Sequence, residues 1–525
     1  MKKLISLFTL SYLITLSVTA QTKPAEKYAA TITEATLKKH LNIIASDSME
    51  GRETGMPGQK MAAAYIEQQF IKAGLKPATS LKSYQQEFPI GFDSVIKAEI
   101  SINNEKLING KDVLIPLMDN VSGSFEAGKI VFVGYGIDDP MYSDYENVDV
   151  KGKLVCFFAG EPKRNQKYFI NKDETPSAWE TDFSLKFKTA ADKGAAGIML
   201  LMATNNGFSK RTLSRNLKSG MYFDAENPEK LPLHHFFASN DLASKLFGDD
   251  MSLITEAAKN KKMLQDMKKE VPFAVSFQFE KYSGGLESSN VVGVIEGSDK
   301  KDEYVFLTAH YDHLGKKDGV VYNGADDDGS GTVAVIQMAA AFAQAKKEGH
   351  GPRRTVVCMT VSGEEKGLWG SEYYSEHPLF PLEKTSVDLN TDMIGRVDTE
   401  RTTPDSLNYV YVVGHDKLSS DLIINEQVNE TYTKLKLDYK FDDPNDTERI
   451  YYRSDHYNFA RKGVPVLFFY DGMLKADYHQ PTDDIDKINW PLMTKRARLI
   501  FHTAWEMANR NEMLKRDKPL PTGRR

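Results

Sequence analysis

YVFLTAHYDHLGKKDGVVYNGADDD, residues 304–328, opens on an apolar run short enough for a buried strand and closes on three adjacent carboxylates. His310 and Asp312 stand just beyond the apolar run, two positions apart. In extended chain, residues i and i+2 face the same way, so imidazole and carboxylate project together. That arrangement suits a metal-bound histidine whose other ring nitrogen is held by an acid. Asp326, Asp327 and Asp328 follow Gly324 and precede a small-residue helix expected over 329–345. One carboxylate is enough for an N-cap. Three repel one another, and a cation among them is the cheaper arrangement.

Strands and helices alternate outward from this stretch. Strands are expected over 304–308, 355–361, 386–390 and 464–469, and helices over 329–345, 370–376, 419–432 and 490–511. Continuous apolar strands imply a sheet covered on both faces, and the alternation implies parallel order. The fold class is therefore α/β, a mostly parallel central sheet flanked by helices. Upstream, MAAAYIEQQFIKA (61–73) has helical spacing and ends at Gly74. The glycine-rich loop SMEGRETGMPG (48–58), with Arg52 and Glu53, reads equally as a surface turn or as the rim of a site.

The character changes over residues 101–270, which read as an inserted, smaller, β-rich α+β domain. Strand-like runs at 129–133 and 153–158, a helix near 185–193 and the run 198–202 carry no clustered ligand-type residues. Asp138, Asp139, Tyr142 and Tyr145 are expected in a solvated loop. This gives residues 21–100 and 271–511 as the two parts of the main domain, and 512–525 as a basic, disordered tail. The acidic group Asp442, Asp443, Asn445 and Asp446 lacks the spacing of an EF-hand and reads as a solvated loop rather than a calcium site.

Residues 1–20 read as a signal peptide: Lys2 and Lys3, an apolar run from Leu4 to Val18, then Val18-Thr19-Ala20. The run falls short of the roughly 20 residues a membrane-spanning helix needs, so the chain is expected to be exported, periplasmic or extracellular. A net charge of −6 gives no electrostatic reason to bind nucleic acid or acidic lipid. The two cysteines, Cys156 and Cys358, sit in apolar runs and read as buried small hydrophobes, neither bridged nor metal-bound.

Open α/β sheets bind ligands beyond the carboxyl ends of their strands, and the clusters of metal-type residues fall there. His310 and Asp312 follow one strand, Glu364 and Glu365 a second, Asp392 a third, and His479 comes after the fourth. Two histidines and three carboxylates (His310, His479, Asp327, Glu365, Asp392) serve two zinc ions if one carboxylate bridges. Imidazole with carboxylate favours zinc, replaceable by cobalt or manganese. A metal pair makes hydroxide at neutral pH and clamps a carbonyl oxygen. Adjacent residues in extended chain point apart, so Glu365 ligates while Glu364 faces the water as general base. Tyr478 reads either as a hydrogen-bond donor to a tetrahedral oxyanion or as a packed aromatic. Ser454-Asp455-His456 reads as a helix cap and wall.

At these residues the chain resembles the M28 family of co-catalytic zinc metallopeptidases. The motifs are AHYDHLG (309–315), GADDDGSG (324–331), SGEEKGLWGS (362–371), LNTDMIG (389–395) and DYHQPTDD (477–484). ESSNVVGVIEG (287–297) and the upstream LNIIASDSMEGRETG (41–55) resemble it as well. The resemblance implies that Asp327 bridges, with His310 and Asp392 completing one zinc site and Glu365 and His479 the other. It also implies a cis peptide after Asp327 and an orienting role for Asp312. The insert resembles a non-catalytic protease-associated domain in GYGIDDPMYSDYENVDVKGKLVCFFAG (134–160) and KTAADKGAAGIMLL (188–201). Together these imply an exported aminopeptidase acting on peptides. The alternatives are a carboxypeptidase, with Arg453 or Arg396 meeting a substrate carboxylate, a one-zinc glutaminyl cyclase, or a non-enzymatic receptor using the insert.

Overall fold

The computed structural model describes residues 24–203, 207–223 and 231–521. The signal peptide reading, residues 1–20, lies outside them. The chain divides into two units, Met1–Pro89 with Glu287–Arg525, and Ile90–Leu286.

The first unit is built on a mostly parallel sheet. Its strands lie in the order Val275–Ile295 (through its C-terminal half), Arg354–Val361, Lys300–His310, Thr385–Thr391, Val466–Tyr470, Tyr409–Val413 and Lys436–Asp438. Lys300–His310 is parallel to both of its neighbours, and Thr385–Thr391 is parallel to Val466–Tyr470. Val275–Ile295 and Tyr409–Val413 join antiparallel. Side-chain alternation along the central strand explains the two-faced burial: Val305, Leu307 and Ala309 enter one apolar cluster, Phe306 another. Helices Glu34–Ile44, Pro57–Ala73, Gly331–Lys347 and Trp490–Asn509 pack together on the first side, where Phe342, Phe501 and Trp505 interlock. On the second side Phe306 meets Tyr374 of helix Trp369–Glu376 and Phe459 of helix His456–Ala460. Among the described residues no helix is long and apolar enough to cross a membrane.

The chain after Asn511, expected to be disordered, is described as far as Pro521. Leu514 is buried, Arg516 donates to the carbonyls of Leu382 and Thr385, and Asp517 accepts from Ser420. Arg516 thus directs its charge to local carbonyls.

The second unit has a six-stranded sheet whose four inner strands, Ile130–Phe132, Leu154–Phe158, Gly197–Leu201 and His235–Ala238, are parallel. The solvated loop expected around Tyr142 and Tyr145 needs correcting. Both rings are buried, because the buried Asp144 between them accepts from Tyr135 N, Ile137 N and the Tyr142 hydroxyl and draws the loop inward. Cys156 and Cys358 are both buried and free.

Candidate metal centre

The strand ends carry the site. His310 is the last residue of the central strand, Glu364 and Glu365 follow Arg354–Val361, and Asp392 follows Thr385–Thr391. His479 arrives on a loop after Val466–Tyr470, with φ at +56°. Asp327 lies between the central strand and helix Gly331–Lys347, in a turn entered through Gly324 at φ +54°. A Cβ on Gly324 would meet the Asp327 carbonyl at 2.2 Å and the His313 ring at 2.5 Å, so only glycine fits there. The Asp327–Asp328 peptide is cis.

The three adjacent aspartates turn to separate partners. Asp328 Oδ1 accepts from Gly331 N and Met393 N and starts the helix; Asp326 Oδ1 accepts from Gly395 N. Asp327 alone faces the imidazoles. Its Oδ1 lies 3.3 Å from His310 Nε2 and its Oδ2 lies 3.2 Å from His479 Nε2. Asp392 Oδ1 is 3.5 Å from His310 Nε2, and Glu365 Oε2 is 3.0 Å from His479 Nε2. The structure thus brings His310, Asp327, Glu365, Asp392 and His479 together around one carboxylate.

Glu364 and Glu365 diverge by a different route from the extended chain expected. Gly363, at φ +87°, turns the backbone into a short 3-10 turn over Glu364–Lys366. Glu365 faces His479, while Glu364 Oε2 lies 3.9 Å from His310 Nε2. Asp312 also works differently. The His310 Nδ1 proton goes to the Asp312 main-chain carbonyl at 3.1 Å, whereas the carboxylate stands 3.6 Å off, accepting instead from Thr54 Oγ1 and Glu364 N. Either contact leaves His310 Nε2 free to ligate. Tyr478 stacks on His479 with ring centroids 3.9 Å apart, and its hydroxyl accepts from Arg453 Nη2 at 3.0 Å. Asp455 caps nothing: its carboxylate accepts from Ser371 Oγ. Asp442 of the acidic loop is buried and engaged with Gly414 N and Lys417, so that loop is less solvated than expected.

Several buried atoms here have no hydrogen-bond partner: His310 Nε2, both ring nitrogens of His313, Asp327 Oδ2 and Glu365 Oε1. Orphaned buried polar atoms are costly, and this set is nitrogen and carboxylate oxygen, the donors zinc takes. Two donor groups suit a cation: His310, Asp327 and Asp392, and His313, Asp327 and Glu365. The residues fit a metal pair.

The carboxylates crowded around the imidazoles shift the proton affinities of both. Burial lowers the affinity of His479 for a proton, but Asp327 and Glu365 outweigh it and raise its pKa to about 10. His310 is likewise raised, burial being overcome by Asp392, Glu364 and other acids. Burial pushes Asp327 up, yet His310 and His479 hold it well below the carboxylate range. Burial, joined by neighbouring carboxylates, lifts Glu364 well above its usual value against the pull of His310. A histidine raised from 6.5 to about 10 stabilises the metal-free fold fully below pH 6.5, and that contribution fades as pH climbs to about 10. Metal must displace these protons. Titrating metal into stripped protein at pH 7.5 is therefore expected to release protons, read as a binding heat that depends on buffer ionisation enthalpy. A buffer-independent heat would contradict protonated imidazoles.

Sequence reasoning left Arg52 between turn and rim; it is neither. The guanidinium is fully buried and donates to the carbonyls of Tyr311, Ile44, Asn323 and Gly324 at 2.6–2.9 Å. Burial lowers its pKa to about 10, against the opposing field of Asp312 and other acids. The loops that carry His313 and Asp327 are pinned by this one fork. Arg52→Ala would orphan carbonyls costing about 1–3 kcal/mol each, so denaturant unfolding is expected to show a loss of at least ~3 kcal/mol. Lysine cannot rescue it, lacking the planar fork. A change below ~1 kcal/mol would contradict the pinning role. Asp483 is a second unforeseen brace, its carboxylate accepting from Asp326 N and Asp327 N at 3.0–3.1 Å.

Residues 290–504 match the model for peptidase family M28. The chain carries an M28 peptidase domain. A probable leucine aminopeptidase of Arthroderma otae is 28% identical to it over 237 residues, 44% of this chain and 61% of the relative. The matched region spans 55–61% of the length of the first three curated relatives. Among solved structures, the aminopeptidase from Aneurinibacillus sp. strain AM-1 has a TM-score of 0.54 at 16% identity, covering 95% of this chain and 100% of that one. BSAP, a zinc aminopeptidase from Bacillus subtilis, has a TM-score of 0.51 at 17% identity, covering 93% and 99%. At such identities the likeness is one of fold. In the M28 domain His310, Asp327, Glu365, Asp392 and His479 all lie within the matched residues.

Proposed function

We propose that the chain is an exported two-zinc aminopeptidase, hydrolysing N-terminal residues from peptides. One observation carries this reading: the two oxygens of Asp327 face different histidines, Oδ1 toward His310 and Oδ2 toward His479. A bound zinc pair supplies Lewis-acid chemistry, acidifying a water and polarising the scissile carbonyl. His310 and Asp392 would hold one ion and Glu365 and His479 the other, with Asp327 offering an oxygen to each. Glu364 accepts the water's proton at a carboxylate oxygen and delivers it to the leaving amine. Asp312 holds the His310 ring through its main-chain carbonyl. Tyr478, its oxygen already accepting from Arg453, keeps its own proton to offer the developing oxyanion.

The cleft beside these groups is lined by Asp327, Glu364 and Asp392 together with Met393, Ile450, Phe468 and Leu474. The apolar side chains in that lining favour a hydrophobic N-terminal side chain. Residues 101–270 are read as the non-catalytic protease-associated insert.

A second reading rests on Arg453, a cation lining the same cleft. It favours a substrate whose free carboxylate lies close to the scissile bond, as in a carboxypeptidase. Arg396, the other candidate, is already paired with Asp477 at 2.7 Å. Hydrolysis of N-blocked and C-blocked peptides by the zinc-loaded protein separates the two. The aminopeptidase cleaves only those with a free N-terminus, and cleavage confined to N-blocked peptides would overturn it.

A further inference from the structure

The ligand set implied for two zinc ions omits His313, yet its imidazole lies inside the cluster. The side chain is fully buried and neither ring nitrogen has a hydrogen-bond partner. Nδ1 lies 2.8 Å from Glu365 Oε1 and 3.8 Å from Asp327 Oδ2. Glu365 Oε1 is itself without a hydrogen bond. At 2.8 Å the imidazole nitrogen and the carboxylate oxygen attract each other as a charged pair, and together with Asp327 they form one of the two donor groups able to hold a cation. Ligand atoms gathered on a tetrahedral zinc, with bonds near 2.0–2.1 Å, lie about 3.3 Å apart, within the 2.8–3.8 Å range that His313 Nδ1 keeps from these two carboxylates.

The ring is also preset. His313 N donates to the Arg52 carbonyl, its backbone bridges to Glu53, and its imidazole packs where Gly324 offers no Cβ. His479, by contrast, keeps about a third of its side chain exposed on a loop.

We propose that His313, through Nδ1, is an additional ligand of the metal held by Glu365 and His479, and that the two metal sites are therefore unequal. This rests on the two-metal reading above. The site at Glu365 then has four protein donors, His313, His479, Asp327 and Glu365, the closed pattern of a tightly held ion. The site at His310 has three, His310, Asp327 and Asp392, and keeps a position open on the side where Glu364 lies. The inequality assigns the reactive position to the His310 ion and an anchoring role to the other.

The test is a zinc titration of the chelator-stripped full chain against a competing chromophoric chelator. The wild type is expected to take up two ions in two steps of different affinity. His313→Phe, which keeps an aromatic ring beside Gly324 without its nitrogens, is expected to weaken the tighter step by about 10–100-fold or more and spare the weaker. An unchanged tighter step would overturn the assignment. A wild type binding fewer than two ions would instead defeat the two-metal reading, a distinguishable failure. A measurement on the wild type guards against a variant that misfolds. The proton NMR spectrum of the cobalt-loaded protein should show hyperfine-shifted, exchangeable imidazole N–H signals from His310, His313 and His479. Signals from only two imidazoles would overturn the proposal.

Discussion

Glu364→Gln is expected to lower kcat by about 10²–10⁴-fold while the protein still binds its full complement of zinc. Glutamine keeps the shape and hydrogen-bonding reach of the side chain but cannot carry a proton at neutral pH. The position is well defined: Gly363 sets the turn, Glu364 N donates to Asp312 Oδ1, and the carboxylate is only 13% exposed. Because Glu364 is not among the proposed ligands, metal content and KM are expected to stay near wild type, with the loss concentrated in kcat. Near-normal turnover would remove Glu364 from the mechanism. Loss of metal in this variant would make it a ligand instead of a base.

Asp327→Ala is expected to have the larger effect, abolishing metal binding and activity together. Its two oxygens face His310 and His479 separately, so under the two-metal proposal one substitution takes a donor from each ion and removes the anion that would lie between them. Without it, two divalent ions would face each other with less charge between them. Asp392→Ala provides the comparison, because Asp392 approaches only His310 among the histidines of the cluster. That variant is expected to retain one ion. Zinc analysis of the purified variants separates the cases: a D327A protein that kept two ions would show that Asp327 does not bridge.

The sheet and the gathering of the candidate ligands on one rim were legible because both follow simple rules. The alternation of apolar strands with helices gave parallel order, and the ligand-type residues at successive strand ends gave one rim. Parity of extended chain was a poorer guide once the chain left the strand. His313 stands three residues from His310, so an extended chain points it to the opposite face. The backbone turns after His310 and brings both rings to Asp327. Adjacent carboxylates were equally opaque: Asp326, Asp327 and Asp328 look alike in sequence, and only the turn at Gly324 gives them separate partners. Arg52 lies 259 positions from Tyr311, whose carbonyl it holds, and no local pattern encodes such a contact. Tyr142 and Tyr145 were misjudged for a related reason, since Asp144 draws its own hydrogen bonds inward and turns a polar-looking loop into core.

The most direct measurement is anomalous diffraction at the zinc edge from crystals of the metal-loaded chain. Two peaks about 3.5–4 Å apart, one on each side of the Asp327 carboxylate, are the expected result. A single peak, or a pair with Asp327 touching neither, would contradict a two-metal centre built on this residue.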